Sequence, residues 1–166
     1  MQPKKKYLRV WKMHNTYFIY GSPFGNIVIE SDGKAITGLR TESNEKPTGK
    51  KEASTLTDIT AMQLSEYFTG KRKKFDVLLN PQGTDFQRSV WKALQDIPYG
   101  KTRSYKQIAQ AVGNPKACRA VGMANNKNPI WIIIPCHRVI GSGGSLTGYG
   151  GGLEMKQKLL DLEQGK

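Results

Sequence analysis

The first half of the chain has the apolar and polar pattern of a small antiparallel sheet followed by one helix. Three short runs of β-branched and aromatic residues predict strands, and they lie at residues 16–20, 26–30 and 35–39. Asp32-Gly33 separates the last two runs and is a strong hairpin signal. A polar loop at residues 41–54 precedes a stretch of helical apolar spacing at residues 56–68, which Gly70 ends. A short strand is predicted at residues 75–79.

The second half changes to helices that are joined by short breaks. Residues 80–83 predict a linker, and residues 85–97 then place apolar side chains on one helix face. Ser104 is a good N-cap for a helix that runs to residue 112. Pro115 suits the first turn of a further helix that runs to about residue 124. Two short helices joined by a glycine-containing turn resemble a helix-turn-helix, although many such pairs bind no DNA.

The segment that carries the most chemistry is Pro135-Cys136-His137-Arg138, which follows an apolar run at residues 130–134. A cysteine reacts as the thiolate, and a nearby base and positive charge favour that form. Neighbouring residues on a strand point to opposite faces, so Cys136 and His137 need a turn or a bridging water to interact. The alternative is that Cys136 is a small buried apolar residue, as most free cysteines are.

Residues 141–152 are too rich in glycine to form regular structure. Glycine allows close backbone approach, so this segment suits the wall of a pocket around a planar ligand. The alternative is a flexible linker, against which the embedded Tyr149 argues. The segment lacks the Gly-Lys-Ser/Thr ending of a phosphate-binding loop.

The charge of the chain indicates a polyanionic partner. Among 166 residues, 26 Lys and Arg against 13 Asp and Glu give a net charge of +13, and both halves are basic. DNA, RNA or an acidic membrane surface fits this surplus. The short basic runs at residues 4–6 and 71–74 are explained equally well as solvated loops.

Other compositional features narrow the class of protein. No apolar run approaches the roughly 20 residues that cross a bilayer, and no signal-peptide pattern precedes the first strand. A cytoplasmic protein, or a nuclear one in a eukaryote, with no membrane partner is therefore expected. Two cysteines and two histidines without metal-ligand spacing predict no metal and no other cofactor.

Several motifs in order make the chain similar to one family. Pro135-Cys136-His137-Arg138 is preceded by Asn128-Pro129 and followed by Gly148-Tyr149-Gly150-Gly151-Gly152. With residues 86–91, 97–100, 104–105 and 113–122, these motifs resemble an O6-alkylguanine–DNA alkyltransferase, also called methylated-DNA–protein-cysteine methyltransferase. The resemblance covers most of residues 82–166 and is weaker in the first half.

The fold implied by this resemblance is α+β. Residues 1–80 would form a small antiparallel sheet with a helix, a ribonuclease H-like support unit. Residues 81–166 would form a mostly helical unit that binds DNA through the helix-turn-helix and accepts the alkyl group.

The activity implied is DNA repair by a protein that acts once. Cys136 takes the alkyl group from O6 of guanine, and O4-alkylthymine is a second candidate substrate. The thioether product cannot be hydrolysed, so the transfer is stoichiometric and irreversible. In the family a buried carboxylate orients the histidine that activates the thiol through a water, and these roles fall on Glu163 and His137. From its position alone, Glu163 is a surface charge.

Further site residues follow from the resemblance. Asn128 braces the turn that carries the cysteine, and Tyr105 donates a proton or hydrogen bond to guanine N3. Arg119 fills the gap that the flipped nucleotide leaves, because O6 cannot be attacked inside the stack. The helix-turn-helix enters the minor groove, with Ser104, Lys116, Ala117, Ala120 and Gly122 as its other DNA-contacting residues. The base pocket is lined by the carbonyls of Cys136 and Val139, by Tyr149 and by Gly150.

Three features depart from parts of the family. Gly150 stands where some members have a serine that hydrogen-bonds O6, which predicts a wider range of alkyl groups. Cys118 is an alanine in some relatives and is interpreted as structural. The zinc ligands of some eukaryotic members are missing.

The expected partner is double-stranded DNA that contains O6-alkylguanine, bound largely without sequence preference by a monomer, with or without cooperative assembly along the DNA. A non-catalytic protein that recognises alkyl lesions is the alternative, but such relatives replace the reactive cysteine, which is present here. A thiol hydrolase would leave the helix-turn-helix and the charge unexplained. A transcriptional regulator would leave Cys136 unused.

Overall fold

The described part of the amino-terminal half is a four-stranded sheet with one helix packed on it. The computed structural model describes residues 14–166, so the basic run at residues 4–6 lies outside the described part. The elements are β1 (Thr16–Ser22), β2 (Gly25–Ser31), β3 (Ile36–Thr41), β4 (Lys50–Lys51) and α1 (Thr55–Phe68). The strand order is β3-β2-β1-β4, and β1, β2 and β3 are antiparallel. β4 pairs parallel to β1 and lies inside the stretch predicted as a loop.

The strand predicted at residues 75–79 is wrong. Leu79 alone makes a bridge, parallel to Ile36 on the outer edge of β3. The reason is that residues 75–79 reach this edge at one position only: the Ile36 N–H donates to the Leu78 carbonyl and the Asn80 N–H donates to the Ile36 carbonyl, both at 2.8 Å.

The same edge of β3 also holds a segment of the second half. Ile130 forms a parallel bridge with Leu39. The Leu39 N–H donates to the Pro129 carbonyl and the Trp131 N–H donates to the Leu39 carbonyl, both at 2.9 Å. The sheet therefore fixes the backbone shortly before Cys136.

The carboxy-terminal half is mostly helical. Its elements are α2 (Asp85–Gln95), β5 (Arg103–Ser104), α3 (Tyr105–Ala111), α4 (Cys118–Asn126), β6 (Val139–Ile140) and α5 (Leu153–Gln164), with one 3-10 turn at Cys136–Arg138. α2 ends at Gln95 and not at residue 97, because the N–H groups of Asp96 and Ile97 bond to carbonyls three residues back.

The predicted helix-turn-helix is formed by α3 and α4, which pack against each other. Ser104 is the N-cap of α3, as predicted, and its hydroxyl accepts the N–H of Gln107. α4 begins at Cys118 and not at Pro115, because the Ala117 N–H bonds to the Asn114 carbonyl in a turn. Lys116 and Ala117 therefore lie before the helix.

The apolar run at residues 130–134 is buried or half-buried, but it turns where a strand would run straight. Ile132 has a φ of 70°, in the left-handed region that β-branched residues rarely adopt. The Ile133 N–H bonds to the Trp131 carbonyl at 2.7 Å, and the Ile134 N–H bonds to the Ile130 carbonyl at 3.1 Å. The chain therefore folds back just ahead of Cys136.

Both halves contribute to one hydrophobic core. Ile29 and Leu39 of the sheet, Tyr67 of α1, Trp91 of α2 and Leu159 of α5 belong to the same cluster of buried side chains. Within residues 14–166, no helix combines the length and the apolar character needed to span a membrane.

Candidate active site

The carboxylate of Glu163, on α5, is buried and accepts hydrogen bonds from four residues. Its Oε1 accepts from the Tyr67 hydroxyl at 2.7 Å and from Arg138 Nη2 at 2.9 Å, and lies 2.7 Å from His137 Nε2. Its Oε2 accepts from Arg138 Nε at 2.9 Å and from the N–H of Gly100 at 3.2 Å. The partners come from α1, from the loop after α2 and from the 3-10 turn.

The pKa values of this cluster keep Glu163 charged and His137 neutral. Burial alone would raise the pKa of Glu163, but the hydrogen bonds of His137 and Arg138 and the charge of Arg138 hold it well below its ordinary value. Burial lowers the pKa of His137, although Glu163 opposes the shift. A neutral His137 that donates Nε2–H to Glu163 has its free lone pair on Nδ1. Among residues 14–166, the buried Nδ1 has no hydrogen-bond partner.

The segment that carries Cys136 is braced by two asparagines. Asn128 Nδ2 donates to the Ile134 carbonyl at 2.8 Å, and its Oδ1 accepts the Ile130 N–H at 3.0 Å. Asn125 Nδ2 approaches the Cys136 carbonyl at 3.4 Å. The 3-10 turn at Cys136–Arg138 then supplies the bend that an interaction between the thiol and the imidazole needs.

The Cys136 thiol is buried and protonated at neutral pH. Only 3% of the residue is exposed. Burial raises the pKa of the thiol to about 11, although a hydrogen bond from the Asn128 side chain and the charge of Lys156 oppose this shift. A base is therefore needed before the sulfur can act as a nucleophile.

Lys156 holds the glycine-rich loop, residues 141–152, against the turn that follows Cys136. Its Nζ donates to the Val139 carbonyl at 2.5 Å and to the Thr147 carbonyl at 2.8 Å. The Tyr105 hydroxyl donates to the same Thr147 carbonyl at 2.9 Å. Burial lowers the pKa of Lys156 to about 8. The loop is thus held in place by side chains of α5 and α3.

Tyr149 and Gly150 lie beside Trp131. Tyr149 is buried, and its ring centroid is 5.7 Å from that of Trp131. A Cβ on Gly150 would lie 2.8 Å from Trp131 Cζ2, so a side chain at this position requires the indole to move. This contact gives a local reason for a glycine at position 150.

The helix-turn-helix residues divide by exposure. Lys116, Arg119 and Ala120 are exposed, whereas Ala117 and Gly122 are half-buried. A Cβ on Gly122 would lie 3.8 Å from the Tyr105 ring, so α4 and Tyr105 are close neighbours. The half-buried Cys118 has its sulfur 3.8 Å from the Pro115 carbonyl. The helix α4, which carries the exposed Arg119 and Ala120, therefore lies next to Tyr105, and the Tyr105 hydroxyl connects this helix to the glycine-rich loop at Thr147.

Three residues of the site have no role in the sequence analysis. Arg138 stands in the quoted motif without a function, and Tyr67 gives no local signal of a partner 96 residues away. Lys156 does leave a signal, because it lies on the face of α5 that also bears the apolar Leu159 and Leu160. A lysine at a core-facing helix position is rare unless it is paired.

Comparison with known proteins gives consistent matches over nearly all described residues. The family model described as the 6-O-methylguanine DNA methyltransferase ribonuclease-like domain matches residues 15–81, and the one described as its DNA binding domain matches residues 85–165. The chain is 52% identical to a methylated-DNA–protein-cysteine methyltransferase of Methanosarcina barkeri, over 89% of this chain and 96% of that protein. A Mycolicibacterium paratuberculosis protein of the same name is 48% identical, over 89% of this chain and 92% of its own length.

A solved structure is similar over the same extent. The crystal structure of Mycobacterium tuberculosis OGT in complex with DNA matches with a TM-score of 0.85 at 48% identity, over 90% of this chain and 93% of that chain.

The pKa of the thiol predicts slow labelling of Cys136 by iodoacetamide in the free protein. With a pKa of about 11, about one thiol in a thousand is ionised at pH ~8. We expect the labelling rate, followed by peptide mass spectrometry, to rise about tenfold per pH unit between pH ~8 and ~10. Cys118 serves as the internal comparison. A Cys136 rate that no longer rises above pH ~8 would contradict a buried, protonated thiol.

Replacement of Lys156 by Met should loosen the glycine-rich loop. The change removes the Nζ hydrogen bonds to the Val139 and Thr147 carbonyls, so that only the Tyr105 hydroxyl still holds Thr147, and keeps an apolar stem in the same space. We expect amide hydrogen exchange in residues 141–152 to become about tenfold faster. Lys158→Met is the matched control on α5, because Lys158 is exposed and its ion pair within residues 14–166 is with the exposed Glu154. Equal exchange rates in the two variants would show that Lys156 does not hold the glycine-rich loop.

Proposed function

The chain belongs to the 6-O-methylguanine DNA methyltransferase family, and from this premise we propose that Cys136 is the alkyl acceptor. Its activity is direct repair of DNA, by single, irreversible transfer of a methyl or larger alkyl group from O6-alkylguanine to a cysteine of the protein. The observation that carries the assignment to Cys136 is that His137, the next residue in the same buried 3-10 turn, is paired with the buried Glu163 carboxylate.

The first step is removal of the thiol proton. The neutral His137 has its lone pair on Nδ1 and its Nε2–H on Glu163. A water between the thiol and Nδ1 carries the proton to the imidazole, and Glu163 stabilises the imidazolium that forms. The charge of Lys156 further favours the thiolate.

The second step is an in-line displacement at the alkyl carbon. The sulfur lone pair forms the new S–C bond as the C–O6 bond breaks. The electron pair of the C–O6 bond stays with O6 of the guanine. Tyr105 supplies a proton or hydrogen bond to guanine N3. When the proton is transferred, the base leaves in neutral form, and the proton that His137 took from the thiol returns to the tyrosinate through solvent. The thioether that remains is stable in water, so the protein is consumed by one transfer.

The base must be extruded from the duplex, since O6 is not accessible to in-line attack inside the stack. We propose that α4 enters the minor groove of the DNA and that Arg119 fills the gap that the extruded nucleotide leaves. The other residues proposed to contact the DNA are Ser104, Lys116, Ala117, Ala120 and Gly122. The exposure of Lys116, Arg119 and Ala120 supports this surface. The net charge of +13 supports binding that depends on phosphates and hardly on sequence.

The extruded base enters a pocket below the glycine-rich loop. The carbonyls of Cys136 and Val139 accept its exocyclic amine, Tyr149 forms a wall, and the Gly150 N–H binds O6. A carbonyl has two lone pairs, so Val139 can accept from Lys156 and from the base together. Because Trp131 lies beside Gly150, a wider alkyl range depends on displacement of the indole.

The organisation of the molecule is part of the proposal. Residues 1–80 act as a support unit and residues 81–166 as the DNA-binding and acceptor unit. We propose a monomer that works in the cytoplasm, or in the nucleus of a eukaryote, with cooperative assembly on DNA as the alternative. No observation favours the non-catalytic lesion-recognition protein.

Replacement of Cys136 by Ser should abolish transfer and leave DNA binding intact. The hydroxyl is nearly isosteric with the thiol but far less nucleophilic toward alkyl carbon. Peptide mass spectrometry after incubation with an O6-methylguanine duplex should detect one added methylene on Cys136 of the unaltered protein and none in the variant. Cys118→Ser is the control and should retain full transfer. Alkylation of Cys118 in place of Cys136 would overturn the assignment.

Replacement of Arg119 by Ala should slow repair of duplex DNA about tenfold, because unstacking a base costs a few kcal/mol that the inserted side chain offsets. Reaction with free O6-methylguanine should not change, since no base has to be extruded. Single-turnover rates on both substrates test this expectation. Arg88→Ala, an exposed arginine on α2, is the control. Equal losses on both substrates would rule out insertion of Arg119.

A further inference from the structure

A tyrosine of the amino-terminal half touches the same carboxylate oxygen as the histidine. The Tyr67 hydroxyl, from α1, lies 2.7 Å from Glu163 Oε1, and His137 Nε2 also lies 2.7 Å from that atom. Tyr67 is fully buried. The contact joins residues 96 positions apart in the chain.

The Tyr67 ring is held on several sides by other aromatic rings. Its centroid lies 5.7 Å from that of Phe68, 5.6 Å from that of Phe75 and 6.1 Å from that of Tyr99. Packed rings of this kind leave the hydroxyl little freedom to leave the carboxylate. The hydroxyl therefore marks a fixed position for Oε1.

The hydroxyl is a permanent donor. Burial and the neighbouring Glu163 carboxylate raise the pKa of Tyr67 far above its ordinary value, although Arg138 opposes the shift. Tyr67 therefore stays protonated over the pH range in which His137 titrates. Its hydrogen bond to the ionised Glu163 is present throughout this range.

We infer that Tyr67 is a positioning residue for the alkyl transfer: its hydroxyl holds the Glu163 carboxylate in the place from which Glu163 orients His137. The inference rests on the proposed roles of Cys136, His137 and Glu163. It gives the amino-terminal unit a part in thiolate formation, beyond mechanical support.

The direction of the pH effect follows from the charges around His137. Burial lowers the pKa of His137; among the charged groups around it, Glu163 raises this pKa, whereas Arg138 and Lys156 lower it further. The Tyr67 hydroxyl donates a hydrogen bond to Oε1 and so weakens the electrostatic attraction between Glu163 and the imidazolium. Without the hydroxyl, the two hydrogen bonds of Arg138 still keep the carboxylate near the imidazole, although less exactly placed. The less solvated carboxylate stabilises the imidazolium better, so the pKa of His137 rises and the acid limb of the transfer rate moves to higher pH.

The test is the single-turnover rate of methyl transfer from an O6-methylguanine duplex, measured between pH ~5 and ~9. Tyr67→Phe should lower the rate at pH ~7 about tenfold and move the acid limb upward by about half a unit. Tyr20→Phe is the matched control, because Tyr20 donates to Thr57 and Asp58 of the same helix but does not touch Glu163. The control should keep the rate and the limb of the unaltered protein.

A second variant keeps the test decisive if Tyr67→Phe does not fold. Incorporation of 3-fluorotyrosine at position 67 keeps the hydroxyl and makes it a stronger donor, so the acid limb should move to lower pH. Opposite shifts in the two variants support the inference. A lower rate with an unmoved limb would show a purely structural role and would overturn it, as would an unchanged rate. Failure of Cys136 to accept methyl in the unaltered protein refutes the proposed function itself, which separates the two results.

Discussion

A carboxylate that is removed from water needs compensating charge and hydrogen bonds, and Glu163 finds them in segments that are far apart in the chain. Tyr67 comes from the first half, Gly100 from the loop after α2, and His137 and Arg138 from the 3-10 turn. The hydrogen bonds that make burial of the charge tolerable also define where the imidazole lies. Folding and chemistry therefore share one constraint, and the site is complete only when both halves are packed together.

A second constraint acts on the backbone ahead of the thiol. Ile132 adopts a left-handed conformation that isoleucine does not favour, and such strain persists only when the surroundings enforce it. The hydrogen bonds of Leu39 hold the chain before Ile132, and those of Asn128 close the loop around it. The amino-terminal sheet thus reaches the acceptor loop through its backbone, while α1 reaches the same site through the Tyr67 hydroxyl.

The elements that depend on a local pattern of residues were predictable from the sequence. The antiparallel strands, the Ser104 cap and the helix-turn-helix follow from alternation, capping residues and helical spacing. The strand predicted at residues 75–79 does not form, because this segment bonds to the edge of β3 at Ile36 alone. The helix predicted from Pro115 begins three residues later, because a turn at Asn114 precedes it. The meeting of His137 with Glu163 was expected from family resemblance, since nothing within either segment indicates the other. Tyr67 was missed for the same physical reason: its partner is brought to it by packing alone.

The state of the thiol suits a protein that is used once. A cysteine that is 3% exposed, with a pKa of about 11, is hardly accessible and almost wholly in the thiol form, and both properties slow stray alkylation and oxidation. In the proposed mechanism the entering guanine takes the Tyr105 hydroxyl from the Thr147 carbonyl, which leaves Lys156 as the remaining donor to that carbonyl. Entry of the base and loosening of the loop are then linked through one hydroxyl. The same residue that releases the loop is placed to protonate the leaving base, so loosening of the loop and departure of the base depend on one side chain.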